Sequence, residues 1–334
     1  MLRLHANILI GMTSLAVTVT ACGGTDNSLT LYSGRGEDLV QPVVDLCADQ
    51  LGVEIKTRYG DSAELLLLLQ EEGGNTPADV FFSQGAGFLG TLSAEGALLP
   101  LDESITSAPS DQNLVSPNND WVGISGRART VAYNTEVLNE GDLPDSFVKF
   151  TDPQWSGRIG WAPTNASFQD HITALRGLLG EDATRTWLSE MVANNPMSYD
   201  GNTAILEGVA SGEIDVGFVN HYYLYRFLAE DPSYPVANHF FSDGDPGALV
   251  NVAGAGVVTH SSNPESAQQF LNCLLSAEVQ NYFASTNYEL PVTNDATPWA
   301  DLPTLDSLML PTFDLNQLAD LQGTVDMLVE VGAL

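Results

Sequence analysis

The chain has little positive charge. Its 11 lysine and arginine residues stand against 43 aspartate and glutamate residues, which gives a formal net charge of −32 over 334 residues. This balance argues against nucleic acid or any other large polyanion as a partner. Because the acidic residues are scattered rather than grouped in blocks, they indicate a heavily solvated surface. A small anion could be bound only where the local charge is positive.

Cysteine is also scarce, and the three cysteines are Cys22, Cys47 and Cys273. The sequence has no cysteine and histidine spacing typical of a metal site. Cys47 and Cys273 each lie in an apolar stretch with a helical pattern. Outside the cell they could form a disulfide, but two buried free thiols fit the sequence at least as well.

The sequence motifs of common enzyme active sites are missing. There is no Gly-x-Ser-x-Gly elbow, no His-Glu-x-x-His helix and no pair of carboxylates beside a polar loop. Beyond the N-terminal segment, the histidines have no recognisable nucleophile in their sequence context; they are His171, His221, His239 and His260. These absences argue against an enzyme.

The first 21 residues have the pattern of an export signal. Arg3 precedes an apolar stretch that ends at Val19 and is too short to remain as a membrane span. Val19-Thr20-Ala21-Cys22 resembles the lipobox of bacterial lipoproteins, which predicts cleavage before Cys22, acylation of that cysteine and a lipidated tether over residues 22–28. The alternative is an ordinary signal peptide with an incidental cysteine. Both alternatives place the mature chain outside the cytoplasm.

From Leu29 onward, stretches typical of strands alternate with stretches typical of helices, which predicts parallel βαβ units. The first series consists of predicted strands over residues 29–32, 53–58 and 78–82 and predicted helices over 40–51 and 61–70. A second series follows an expected change of direction around residues 126–133; its predicted elements are a strand over 158–161, helices over 168–179 and 181–194, a helix opening at Asn202 and a strand over 216–219. The apolar stretch 248–258 then returns to the first series, and residues 313–331 are predicted to be helical.

A polar and aromatic stretch follows the last strand of the second series. Asn220-His221-Tyr222-Tyr223 lies where a strand ends and a helix begins, and α/β proteins bind ligands at such edges. Deprotonated phenol oxygens are hard anionic donors. Because a free tyrosine has a pKa near ~10, only a strongly charged partner such as a trivalent metal would keep Tyr222 and Tyr223 both ionised at neutral pH. The alternative is that both tyrosines are packing residues of an amphipathic helix.

Six short tracts beyond Leu29 carry a family resemblance. They are Leu31-Tyr32-Ser33-Gly34-Arg35, Pro77-Ala78-Asp79-Val80-Phe81, Ser125-Gly126-Arg127-Ala128-Arg129, Asn220-His221-Tyr222-Tyr223, Asp245-Pro246-Gly247-Ala248-Leu249 and Gly254-Ala255-Gly256. In this order they resemble the bacterial periplasmic ferric-ion-binding proteins of iron ABC importers. The resemblance implies an α/β fold of the two-lobed, class II periplasmic-binding-protein type, with two hinge strands and a ligand cleft between the lobes. Lobe 1 would comprise residues 29–128 and 247–300, and lobe 2 residues 129–246 and 301–334.

The same resemblance implies a function. A monomeric protein, exported and anchored to the cell envelope by lipid, would bind ferric ion in the cleft through Tyr222 and Tyr223. It would then deliver the ion to the permease and ATPase of an ABC importer. The alternative is a binding protein of the same fold for another small anion or metal complex.

The chain departs from the family at three expected iron ligands. Many members have a histidine after the first strand and a glutamate after the strand that ends here at Phe82, whereas this chain has Gly36 and Gln84. Some relatives use a third tyrosine where this chain has Asn165. Other residues could compensate, although each could also be structural; the candidates are Glu37, Tyr59, Tyr133 and Tyr225, with Arg35 as a further residue of the cleft.

Family members often bind a phosphate or carbonate that shares the metal, held by small polar residues at helix starts. The matching residues here are Asn165, Ala166, Ser167, Asn202 and Asn220. Free amides at a helix start can bind an anion without net positive charge. The alternative is that these residues are ordinary helix caps. Arg127 and Arg129 could add positive charge, or both could be solvated on one face of a strand.

Overall fold

The computed structural model describes residues 28–297, 299 and 302–334. The predicted signal peptide and Cys22 lie outside the described residues. Within the described part of the chain, the strands are β1 (Ser28–Ser33), β2 (Glu54–Tyr59), β3 (Val80–Ser83), β4 (Val122–Asn134), β5 (Ile159–Trp161), β6 (Met197–Ser198), β7 (Val216–Asn220), β8 (Val236–His239), β9 (Val250–Val257) and β10 (Leu290–Pro291).

Helices alternate with these strands over most of the chain. They are α1 (Glu37–Leu51), α2 (Ser62–Glu72), α3 (Ala86–Ala94), α4 (Glu103–Thr106), α5 (Ala166–Leu179), α6 (Glu181–Ala193), α7 (Asn202–Ser211), α8 (Tyr222–Glu230), α9 (Pro264–Leu274), α10 (Ala277–Tyr282), α11 (Leu305–Leu308) and α12 (Leu321–Glu330). Among the described residues, none of the helices combines the length and apolar character needed to cross a membrane.

Helix α1 begins three residues earlier than predicted. Gly36 is extended and precedes the helix, and Glu37 and Asp38 occupy the first turn, where the positive end of the helix dipole stabilises acidic side chains. Pro42 therefore lies inside the helix rather than near its start. Helix α2 begins close to the predicted position because the Asp61 side chain accepts a hydrogen bond from the backbone N–H of Ala63 at 2.8 Å.

Strand β4 connects the two halves of the molecule. Its 13 residues are all buried, and they form one continuous strand where the sequence predicted a change of direction. Up to Ala128, β4 pairs with β9, and from Arg129 onward it pairs with β7. The strand order across the sheet is β2-β1-β3-β9-β4-β7-β5-β6, with β8 and β10 also paired to β4. We call the β1, β2, β3, β9 and β10 side the first lobe and the β5, β6, β7 and β8 side the second lobe.

The lobes meet at a place that we call the junction. Strand β3 ends at Ser83 opposite Gly254 of β9, and β7 ends at Asn220 opposite Arg129 of β4. The end of β7 therefore lies at the point where β4 changes partners, and the loop after β3 reaches the same part of β4, since Arg127 donates to the backbone oxygen of Gln84. Loops that follow strand ends in α/β sheets commonly form ligand sites, so the topology places such a site at the junction.

The C-terminal segment packs against both lobes. Side chains between residues 302 and 318 join the core that also contains β1 and β3; they are Leu302, Leu305, Leu308, Phe313, Leu315 and Leu318. Met327 and Leu328 of α12 join the core of the second lobe instead. These contacts favour a lobe boundary near residue 320, rather than the assignment of residues 301–334 as a whole to lobe 2.

A disulfide joins two helices of the first lobe. Cys47 of α1 and Cys273 of α9 are bonded, with their Cα atoms 5.9 Å apart. The expectation that free thiols fit at least as well is therefore wrong. Sequence patterns could not decide this, because packing of α1 on α9 brings together two residues that are 226 positions apart.

Candidate functional site

Two tyrosines form the second-lobe side of the junction. Tyr222 and Tyr223 begin α8, immediately after the fully buried strand β7, as predicted. Their rings are stacked with centroids 4.4 Å apart, and the Arg226 guanidinium lies 5.1 Å from one ring and 5.3 Å from the other. Only 6% of Tyr222 is exposed, and Tyr223 is half-buried.

The environment keeps the Tyr223 phenol protonated in the absence of a cation. Burial raises the pKa of Tyr223, and the neighbouring Tyr222 raises it further through its charge and a hydrogen bond, although Arg226 and Arg127 act in the opposite direction. A cation that binds the phenol oxygen must displace this proton. Such a site discriminates in favour of highly charged cations.

Four predicted anion-binding residues form one hydrogen-bonded group, which we call the amide cluster: Asn165, Ser167, Asn202 and Asn220. Asn165 Oδ1 accepts hydrogen bonds from the backbone N–H of Ser167 at 3.1 Å and from its hydroxyl at 2.5 Å. Asn202 Nδ2 lies 3.5 Å from Asn165 Oδ1, and Asn202 Oδ1 accepts from the backbone N–H of Asn220 at 2.8 Å. The starts of α5 and α7 and the end of β7 thus converge. Ala166, the fifth predicted residue, is exposed at the first position of α5.

Arg129 connects the amide cluster to the tyrosines. Its Nη1 donates to Asn220 Oδ1 at 3.0 Å and to Ser167 Oγ at 3.3 Å. Burial lowers the pKa of Arg129 to about 10, an effect that the charges of Asp170, Tyr222 and Tyr223 partly offset. Within the described residues, its Nε and Nη2 atoms have no hydrogen-bond partner. A buried guanidinium with two unsatisfied nitrogens is suited to bind an oxyanion.

Arg127 and Arg129 are buried, so the expectation that both could be solvated is wrong. Only 6% of Arg127 and 3% of Arg129 are exposed. Strand β4 passes between the lobes and has no solvated face, which the alternation of its residues could not reveal. Arg127 Nη2 donates to the backbone oxygen of Gln84 in the first lobe, and in the described residues its Nε has no partner.

The first-lobe side of the junction is occupied by a buried ion pair. Arg35 Nη2 donates to both carboxylate oxygens of Glu289 at 2.9 Å, and Ser125 donates to the same carboxylate. Burial alone would raise the pKa of Glu289, but Arg35, Arg127 and the hydrogen bond from Ser125 outweigh it and lower the pKa. Arg35 Nη1 also donates to Gln84 Oε1 at 2.9 Å. Each side-chain oxygen of Glu289 and Gln84 thus already accepts at least one hydrogen bond within the first lobe and β4.

Close backbone packing fixes the Gln84 loop. Ser62 Oγ accepts a hydrogen bond from the Gln84 backbone N–H at 3.0 Å. A Cβ atom on Gly34 would lie 1.9 Å from that Oγ, so only glycine fits there. At Gly36 a Cβ atom would meet nothing within 4 Å, so the missing histidine is not excluded by lack of space.

The residues considered as compensating iron ligands are placed differently. Glu37 is exposed at the start of α1, and the Tyr59 hydroxyl donates to Gln41 at 2.5 Å. Tyr133 is paired with Val216 at the opposite end of β7 from Asn220, roughly 13 Å along the strand at ~3.3 Å per residue, and so is not part of the site. Tyr225 is buried, and its ring stacks on that of Tyr288 at 6.0 Å.

Two residues of the junction have roles that the sequence did not predict, His221 and Asp170. His221 Nδ1 accepts from the Ala128 backbone N–H at 3.1 Å, and its Nε2 lies 2.8 Å from the Tyr288 backbone oxygen. Burial lowers the pKa of His221 to about 4, so the ring is neutral near pH 7 and fixes the start of α8 to β4.

The second of these residues is Asp170, whose Oδ2 accepts from Asn251 Nδ2 at 2.7 Å. Burial raises the pKa of Asp170 to about 6, while Arg127, the Asn251 hydrogen bond and Arg129 act to lower it. Its position three residues after Ser167 was the signal that could have found it.

No group of three or more histidine, cysteine, aspartate or glutamate side chains positioned to hold a metal ion occurs in the described residues. A metal bound at the junction would accordingly depend on the phenol oxygens of Tyr222 and Tyr223, with further donors from elsewhere. Hard oxygen donors of this kind suit a hard trivalent cation.

Sequence comparisons match the chain over most of its length. Residues 34–281 match the family model described as bacterial extracellular solute-binding protein. The chain is 32% identical over 321 residues to the major ferric iron-binding protein of Neisseria meningitidis serogroup B, covering 95% of this chain and 97% of that protein. It is also 32% identical over 298 residues to iron uptake protein A2 of Synechocystis, covering 85% of this chain and 84% of that protein.

Solved structures match the fold as well. Iron-bound HitA from Pseudomonas aeruginosa has a TM-score of 0.80 and 31% identity, covering 91% of this chain and 99% of that chain. The Trichodesmium protein IdiA (FutA), in complex with iron and citrate ligands, has a TM-score of 0.82 and 28% identity with the same coverage. These similarities confirm the predicted α/β, two-lobed fold.

Proposed function

The chain belongs to the bacterial extracellular solute-binding protein family, and from that premise we propose that it captures ferric ion outside the cytoplasm and delivers it to an ABC importer. The ion would be bound at the junction by Tyr222 and Tyr223, together with a small anion such as carbonate or phosphate. The permease and ATPase of the importer would be its partners.

The observation that carries this proposal is the tyrosine pair beside a buried, unsatisfied arginine. Stacked rings bring the phenols of Tyr222 and Tyr223 together on one turn of α8. Arg129 donates to Asn220, two residues before Tyr222, so the anion position lies beside the tyrosine pair. Ferric ion is a hard acid for which phenolate and carboxylate oxygens are suitable donors.

The anion would bind between Arg129 and the start of α5. Arg129 Nε and Nη2 have no partner within the described part of the chain, and the start of helix α5, 14 residues long, belongs to the amide cluster through Asn165 and Ser167. An anion there would satisfy the guanidinium and contribute oxygens to the metal. The Trichodesmium protein, in complex with iron and citrate ligands, is a precedent for a protein of this fold that binds both iron and an organic anion.

The second candidate function is binding of a small anion or a metal complex by the same fold. The unsatisfied nitrogens of Arg127 and Arg129 favour it, because they offer anion contacts that need no metal. Calorimetric titration with phosphate or citrate in the absence of iron separates the two functions. Tight anion binding that added ferric ion does not strengthen would support the second.

Export and anchoring are predicted from the N-terminal sequence. The relative from Serratia marcescens that is 30% identical is named an Fe(3+)-binding periplasmic protein, which supports an extracytoplasmic location. Anchoring through acylated Cys22 and a monomeric state remain predictions. Mass spectrometry of the mature N-terminus tests the first prediction, since the wild-type protein should carry a lipid adduct that Cys22→Ser abolishes.

The test of iron capture is a ferric titration followed by visible absorption. Tyrosinate bound to ferric ion gives a charge-transfer band, so the wild-type protein should become coloured. Tyr222→Phe and Tyr223→Phe should each weaken ferric affinity severely against a citrate competitor while leaving the thermal unfolding curve unchanged.

Tyr234→Phe is the matched control for these variants. It removes a second-lobe hydroxyl that donates to the Leu206 backbone oxygen at 3.1 Å, away from the junction. This variant should bind iron as the wild type does. Equal affinities for the wild type and the variants at Tyr222 and Tyr223 would eliminate the iron assignment.

A further inference from the structure

The start of helix α8 is bonded to the first lobe through His221. The residue is fully buried, and its Nδ1 accepts a hydrogen bond from the Ala128 backbone N–H at 3.1 Å. A neutral imidazole that accepts at one nitrogen carries its proton on the other. Nε2 therefore donates to the Tyr288 backbone oxygen, which lies 2.8 Å away. The histidine thus connects β4 to the segment that precedes β10.

The carbonyl that accepts this bond is fixed to the first lobe. Glu289, the residue after Tyr288, accepts hydrogen bonds from Arg35 in the loop after β1 and from Ser125 of β4. Leu290 follows, pairs with β4 and belongs to the core that also contains β1 and β3. The position of the Tyr288 carbonyl is therefore set by the first lobe.

The backbone of Tyr288 has an unusual conformation. Its φ is +57°, in the left-handed region that bulky residues rarely adopt. The residue ends a π-helix over Phe283–Asn287, and its backbone N–H donates to the Phe283 oxygen. Turns of this kind and strained backbones are both frequent at functional sites. In this conformation the carbonyl is bonded to His221, and the ring stacks on that of Tyr225 with centroids 6.0 Å apart.

Further contacts lead from Tyr288 to the tyrosine pair. Tyr225 lies one turn beyond Tyr222 on α8 and joins the first-lobe core. The His221 ring packs edge-on against Tyr222, with centroids 5.8 Å apart, and Tyr222 stacks on Tyr223. The first lobe is therefore connected to α8 both before and after Tyr222, through the same residue at position 288.

We propose that His221 is a positioning residue for the ferric ion and that its bond to Tyr288 holds the two phenols in the arrangement that binds the ion; this role rests on the proposed function. With the bond intact, Tyr222 and Tyr223 are ordered before the ion arrives. Without it, binding must also order both side chains, which lowers the affinity. Movement of Tyr288 away from α8 would have the same effect and would favour release of the ion.

Two amide substitutions separate the two hydrogen bonds of His221. His221→Asn can accept from Ala128 through its side-chain oxygen, but asparagine is too short to reach Tyr288. His221→Gln reaches Tyr288 with its amide nitrogen and loses the acceptor for Ala128. Both variants have neutral side chains, so the order of their ferric affinities shows which hydrogen bond matters.

Ferric affinity of His221→Asn, measured against citrate, should fall by about 2- to 10-fold for each tyrosine that binding must order. The loss should be seen as faster release to excess EDTA, followed by decay of the charge-transfer band, because most affinity changes affect dissociation. His221→Gln should retain the wild-type affinity and release rate. His260→Asn is the matched control, since it removes an exposed imidazole beside Gly74 on the first lobe. It should change neither quantity.

Tyr288→Asn tests the second contact and remains informative if His221→Asn does not fold. Asparagine adopts the left-handed conformation more readily than tyrosine, and Tyr288 is only half-buried, so the fold should be kept. The variant removes the ring that stacks on Tyr225 and keeps the carbonyl bonded to His221. Release to EDTA should be faster than in the wild type, and urea unfolding checks that the protein is folded.

Equal affinities and release rates in the wild type, His221→Asn and Tyr288→Asn would overturn the positioning role, while Tyr222→Phe and Tyr223→Phe still lose iron. If His221→Asn does not fold, an unchanged release rate in Tyr288→Asn overturns the role by itself. A larger loss in His221→Gln than in His221→Asn would also overturn it, because the bond to β4 alone would then matter. If the wild-type protein develops no charge-transfer band, the proposed function fails and the positioning role fails with it.

Discussion

Arg129 should limit the stability of the ligand-free protein. Burial lowers its pKa from 12.5 to about 10, which corresponds to roughly 3 kcal/mol against the charged form. The folded-state pKa is below the unfolded one, so this penalty is present at every pH below about 10 and is relieved only as pH rises through that value. Arg129→Met removes the charge and keeps much of the volume.

Removing this charge should raise the free energy of unfolding, but the loss of the contacts that the guanidinium makes reduces the increase. Methionine loses the hydrogen bonds to Asn220 and Ser167, each contributing about 1 kcal/mol. The net effect in the absence of anion should be an increase of about 1 kcal/mol in the free energy of unfolding. Replacement of buried charges by apolar side chains has effects of this sign and size.

Added phosphate should make the wild-type protein more stable than Arg129→Met, the reverse of the order expected without phosphate. An anion that pairs with Arg129 forms charge-assisted hydrogen bonds that contribute ~1.5–3 kcal/mol. Replacing Arg129 by methionine should therefore weaken phosphate binding by about 10- to 100-fold. Urea unfolding followed by tryptophan fluorescence, with and without phosphate, measures both effects. Arg185→Met on the exposed side of α6 is the control. A less stable Arg129→Met variant without phosphate, or equal stabilisation of variant and wild type by phosphate, would refute the reasoning.

The other predictions concern protons, the anion site and the disulfide. Ferric affinity should fall by up to about 100-fold per pH unit on acidification, because two phenols must lose protons to bind; citrate competition at several pH values measures the slope, and a flat profile would count against phenolate ligands. Ser167→Ala and Asn202→Ala should each weaken ferric binding at limiting bicarbonate, since both support the amide cluster; affinity independent of anion in wild type and variants would contradict this. Replacing Cys47 and Cys273 by alanine should lower the free energy of unfolding by about 2–5 kcal/mol, given the 226-residue separation, and leave ferric affinity unchanged; urea unfolding and a ferric titration test the two parts.

The parts of the site that could be predicted from sequence are those with local signals. Tyr222 and Tyr223 follow a strand of continuous apolar residues, Asn165 caps α5 with its side chain, and Asn202 is the first residue of α7. Burial of Arg127 and Arg129 has no local signal, because it results from β4 lying between two lobes. The position of Asp170 beside Gly85 likewise depends on residues far apart in the chain.

The burial of these arginines would also allow a chain with a net charge of −32 to bind the proposed anion. The acidic surface attracts a trivalent cation and repels anions, but at physiological ionic strength exposed charges act over only ~8 Å. Buried charges are screened much less, so Arg127 and Arg129 determine the potential at the junction. The electrostatic potential of the surface and that of the junction can therefore have opposite signs. The acidic surface attracts the cation, and the buried arginines attract the anion. If this is correct, raising the salt concentration should slow ferric association, which depends on the surface, more than it weakens phosphate binding at Arg129.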